Sequence, residues 1–121
     1  MNQLQTAEIR QRIISELQTA SADLLIAPLL SLFIGNLLER LDALNNLVET
    51  SQLVPAKALA HTIKGSAGMY GFQSIFEFME NFEAYLKTSA LAGKTAEFDT
   101  EDQGAPDLLS FGNLCRDVLA H

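Results

Sequence analysis

On a helix turning about 100° per residue, His61, Lys64, Gly65 and Gly68 point along about 0°, −60°, +40° and −20°, one narrow face. Leu59, Ile63, Ala67 and Tyr70 fall opposite. The stretch therefore reads as a helix with an apolar back and a front of one imidazole, one ammonium and two bare backbone positions. Glycine in a helix interior costs about 1 kcal/mol relative to alanine. Two glycines beside a histidine point to something that comes very close to the ring. An imidazole, with an ordinary pKa of about 6.5, offers a neutral nitrogen nucleophile at pH 7. Phosphoryl transfer asks little covalent help of a protein. It needs in-line positioning and positive charge near the equatorial oxygens. Lys64, one turn after His61, is placed to supply that charge as a point cation. Gly65 and Gly68 leave room for a second protein to bring an acyl phosphate to the ring. A carboxylate on the far ring nitrogen would fix the tautomer and raise the basicity of the attacking one. Glu83 and Glu80 are the candidates. Each residue also has a plainer use: the glycines in close helix packing, the glutamates on a solvated face. The joint spacing is what points to chemistry.

The elements that must position this face are helices. Apolar spacing is mostly three and four, and strand patterns are almost absent. Ile9, Ile13 and Leu17 predict a first helix over 6–19. Asp23 is the expected N-cap of a long second helix reaching Val48, with the stripe Leu30, Phe33, Leu37, Leu41, Leu44 and Val48. Pro28 requires a first-turn position or a kink there. A third helix starts near Pro55, which suits a first turn. It runs to about Tyr70, where Gly71 fits a C-terminal stop. Ser74 and Glu77 have the spacing of a capping box for a fourth helix, whose stripe is Ile75, Phe78 or Met79, Phe82 and Leu86. Residues 93–106 read as a mobile acidic loop, long for a bundle. A last helix over about 107–119 carries Leu108, Phe111, Leu114, Cys115 and Val118. Short links between amphipathic helices favour antiparallel neighbours. The expected architecture is all-α, an up-and-down antiparallel four-helix bundle with an additional N-terminal helix.

Composition narrows the function classes. The 121 residues suit a single domain spanning 1–121, and 48% hydrophobic content suffices for a core. A net charge of −7 argues against a generic nucleic-acid or anionic-membrane binder. The one cysteine, Cys115, excludes an internal disulfide and reads as a small buried hydrophobe. No metal site is expected: the only other histidine is His121, and a metal-binding bundle needs clustered inward Glu and His ligands. The first twenty residues are polar and mixed in charge, unlike a signal peptide. Leu24 to Ile34 is apolar but broken at Pro28 and Ser31, and too short for a membrane span. A cytoplasmic monomer without membrane association is the expectation.

The residues His61, Lys64, Gly65, Ser66, Ala67 and Gly71 together resemble the motif of the histidine-containing phosphotransfer (HPt) family. Ala60 to Phe72 is also similar to the phosphotransfer domain of chemotaxis histidine kinases. The resemblance implies a helical-bundle carrier that relays a phosphoryl group between receiver-domain aspartates, or from a histidine kinase, in a two-component phosphorelay. It implies His61 as phosphoacceptor, Lys64 as the phosphoryl-stabilising cation and Gly65 as the close-approach position. It also implies a histidine-orienting glutamate on the fourth helix. Ungapped counting places that role on Glu83; the local string Met79-Glu80-Asn81 places it on Glu80. Many members have a second basic residue soon after the lysine; Ala67 and Gly68 offer none, and Lys87 is too distant in sequence to assign. The chain has no nucleotide-binding loop, so it is expected to be a phosphocarrier without independent catalysis and without cofactor, with Mg²⁺ on the partner receiver. The alternative is a non-phosphorylated HPt-like module that binds a receiver or kinase.

Overall fold

A computed structural model describes residues 3–91 and 107–120. The acidic loop expected over 93–106 lies outside the described residues. The chain is all-helical as expected: α1 (Gln3–Ala22), a 3₁₀ turn (Ala27–Leu29), α2 (Leu30–Glu49), α3 (Leu53–Met69), α4 (Gln73–Leu91) and α5 (Leu108–Leu119). Helix α2 packs on α3, α3 on α4, and α5 on α2. The additional N-terminal helix is more than an appendage. It packs against both α4 and α5 and closes the ring of helices. Behind it, Phe78 of α4 stacks on Phe111 of α5 with ring centroids 3.8 Å apart.

The apolar stripes meet in one core. Leu37, Leu41 and Leu44 from α2 meet Ala56, Ala60, Ile63 and Ala67 from α3. Ile75, Met79, Phe82 and Leu86 of α4 are buried too, as are Phe111, Leu114 and Cys115 of α5. Burying each large side chain stabilises by roughly 1.5–3 kcal/mol. Burial pushes the Cys115 thiol up to about 12, so it stays protonated and acts as a packing group.

Helix ends show where local signals were followed and where tertiary contacts won. Gly71 has φ +85°. Phe72 N–H donates to Ala67 C=O at 2.9 Å and Gly71 N–H to Gly68 C=O at 3.3 Å, the two bonds of a Schellman stop. Helix α2 ends in the same way without a glycine: Ser51 takes φ 62°, and Gln52 and Ser51 donate to Leu47 and Val48. Asp23 does not cap α2. Its carboxylate accepts from the N–H groups of Leu25 and Ile26. Pro28 then sits in the 3₁₀ turn, and α2 begins only at Leu30, because proline brings no N–H to a helix interior.

The capping box expected at Ser74 and Glu77 does not form. Buried Ser74 instead donates its N–H (3.0 Å) and Oγ–H (2.5 Å) to Glu16 of α1, and Glu77 pairs with Arg12. A carboxylate from another helix thus takes the cap's place. Glu16→Ala leaves a buried N–H and hydroxyl unsatisfied, and is expected to lower stability by about 2 kcal/mol in urea unfolding. A loss below a few tenths of a kcal/mol would show that water replaces the carboxylate.

Candidate functional site

The α3–α4 pair forms the closest-knit part of the bundle, because α3 presents small residues Ala56, Ala60 and Ala67 to the core. That packing brings Glu83 of α4 up to the centre of α3. His61 Nδ1 lies 3.1 Å from Glu83 Oε1, and Lys64 Nζ lies 3.0 Å from Glu83 Oε2. One carboxylate therefore holds both the imidazole and the ammonium of this face of α3. Glu83 is the glutamate that reaches the ring; Glu80, three positions earlier, is exposed on the same helix.

A carboxylate only accepts, so the proton sits on Nδ1 and donates to Glu83. This leaves the lone pair, and with it the ring's nucleophilic character, on Nε2. The His61 side chain is 68% exposed, while those of Glu83 and Lys64 are 19% and 21% exposed. The ring is presented to solvent and its two neighbours are sheltered. Burial opposes the charge on Glu83, but hydrogen bonding and attraction from Lys64, and then from His61, outweigh it and hold the carboxyl below its usual range. Glu83 is accordingly ionised at neutral pH and places a negative charge beside the ring.

The two glycines differ. A Cβ built on Gly65 meets nothing within 4 Å, so the space there is open to solvent and to a partner. A Cβ on Gly68 would lie 3.1 Å from Cδ2 of Phe76. Gly68 thus also serves the close α3–α4 packing, and the same Phe76 ring lies 5.9 Å from Lys64 Nζ. Phe76 steadies the lysine, and nothing in its type or spacing singles it out in the sequence.

Beside His61 a groove of about 620 Å³ runs between the first half of α3 and the second half of α4. Leu53, Val54, Ala58 and Leu86 make it apolar, and Lys57 and Lys87 line it too. Sequence reading passed over Val54 and Lys57. Their offsets of seven and four residues from His61 place them on its face of the helix, so a longer helical projection would have found them. Lys87, unassignable by sequence distance, lies one turn beyond Glu83. Among the described residues no His, Cys, Asp and Glu side chains cluster as a metal site would require. No single described helix is long and apolar enough to cross a membrane.

An exposed imidazole with one nitrogen held by a carboxylate and a lysine one turn away is an arrangement that can accept a phosphoryl group. Residues 28–119 match the Hpt domain family, and the chain belongs to it. It has a histidine phosphotransfer role in two-component signalling, and Hpt domains interact there with receiver domains or histidine kinases. No curated protein and no solved structure gives a significant match to the chain.

Proposed function

We propose that residues 1–121 act as one monomeric, cytoplasmic phosphocarrier unit in which His61 accepts a phosphoryl group from a receiver-domain aspartate and passes it to another. The observation that carries this reading is the shared carboxylate: Glu83 holds His61 Nδ1 at 3.1 Å and Lys64 Nζ at 3.0 Å beside the open Gly65. His61 Nε2 attacks the phosphorus in line. The N–P bond forms as the P–O bond to the aspartyl carboxylate breaks, and that carboxylate leaves with the electron pair. The ring becomes positive, and its Nδ1 proton stays hydrogen-bonded to Glu83. Lys64 stabilises the equatorial oxygens. The chain uses no cofactor of its own, and Mg²⁺ comes with the receiver.

The test is transfer from a panel of phosphorylated receiver domains. At least one receiver should place an acid-labile, alkali-stable phosphoryl group on the chain. In the same assay Lys64→Ala should be labelled about tenfold to a hundredfold more slowly. Binding of receivers without any label would instead favour the docking module that carries no phosphoryl group.

A further inference from the structure

We propose that the groove beside His61 is a docking seat for the phosphoryl-donating receiver, taking an apolar side chain between Leu53, Val54, Ala58 and Leu86 while Lys57 and Lys87 meet the receiver's carboxylates. This inference rests on the phosphocarrier reading above and names how its partner is held.

Charge is the main argument. The chain carries a net charge of −7, so an acidic protein is repelled by most of its surface. The described cations are mostly spent: Arg10 faces Asp117, Arg12 faces Glu77, Lys64 faces Glu83 and Arg116 faces Asp42. Among the described residues Lys57, Lys87 and Arg40 of α2 form no ion pair with a carboxylate, and the two lysines line this one groove. A donor that binds Mg²⁺ must gather oxygen ligands, chiefly carboxylates, at its reacting face. Such a face is acidic, and the groove sets two unpaired lysines side by side next to His61 to attract it. Shape agrees with charge. Val54 is 83% exposed in the groove although it lies on the face of α3 that bears His61. The groove meets the histidine on one side, and the bare Gly65 flanks it on the other. A partner reaching Nε2 therefore lies over both. Leu24, Leu25, Leu29 and Leu32 are also exposed, but they lie in the turn before α2 and its first residues, next to Phe33, which stacks on Tyr70 at the far end of α3; Leu4, Met69 and Leu109 lie outside the groove.

The experiment compares the native chain with Lys57→Glu/Lys87→Glu, using a phosphorylated receiver that labels the native chain. The KM for the receiver should rise about tenfold, with the maximal single-turnover rate within about twofold of native. High salt should narrow the gap, and Lys57→Arg/Lys87→Arg should behave as native. An unchanged KM overturns the groove while leaving the phosphocarrier reading intact. So does a fall in maximal rate at constant KM, which would place the lysines on the phosphoryl group itself. If charge reversal disturbs the circular dichroism spectrum, Lys57→Gln/Lys87→Gln carries the same comparison. Self-association of the native chain that the variant loses would make a second copy the occupant, and also overturns the proposal. Absence of label on the native chain from every receiver defeats the phosphocarrier reading first, and this occupant with it.

Discussion

His61→Gln is expected to take up no acid-labile phosphoryl group from any receiver that labels the native chain. Glutamine keeps an N–H that can donate to Glu83 but has no nucleophilic nitrogen. The side chain is 68% exposed, so little packing is lost. Glutamine is also at least as good a helix former as histidine. The circular dichroism spectrum and urea midpoint should therefore stay close to native while acceptance vanishes. Phosphoryl label retained on the variant, mapped by mass spectrometry, would move the acceptor elsewhere. A variant that loses both label and fold would say nothing for the chemistry, so the two readouts belong together.

Gly65→Gln should separate stability from function in opposite directions. Gly65 is in the interior of α3 with ordinary helical backbone, and a Cβ there meets nothing within 4 Å. Replacing it should raise stability by about 0.5–1 kcal/mol, through the smaller entropy lost on folding. The same side chain stands one turn from His61, where the donor must bring phosphorus to about 3–3.5 Å from Nε2. A displacement of about 1 Å costs on the order of a hundredfold. The expected result is a higher melting temperature together with transfer slowed at least about a hundredfold. Native transfer rates would mean that the donor approaches from another side. Gly68→Ala is the informative contrast, because its Cβ would press on Phe76 inside the protein as well as on a partner outside it.

Much of this was legible in the chain because it is written in local periodicity. The spacing of Leu37, Leu41 and Leu44, or of Ile75, Met79, Phe82 and Leu86, reports a helix and its buried face together. The His61, Lys64 and Gly65 face is likewise a property of one helix. Glu83 needed a second helix, and its register against α3 is set by packing. The residues alone left it open against Glu80. The failures were at helix ends. Asp23 and the Ser74–Glu77 pair both have the right types and spacing for caps, yet Pro28 delayed α2 and Glu16 took Ser74. A local rule loses wherever a distant side chain makes the same hydrogen bond in a drier place. The stop after α2 carried no glycine, and Ser51 adopts the left-handed backbone that sequence reading assigns to one. The groove lay hidden because it belongs to two helices at once.

The helix that closes the ring has a consequence for where this module begins. The family match starts at residue 28, after α1 has ended at Ala22. Yet α1 supplies Glu16 to the first turn of α4, and α4 is the helix that carries Glu83 to His61. The limits of the family match and the limits of the mechanical support are therefore different lines. A fragment trimmed to the family limits keeps every reactive side chain and discards the brace beneath the carboxylate that aims them.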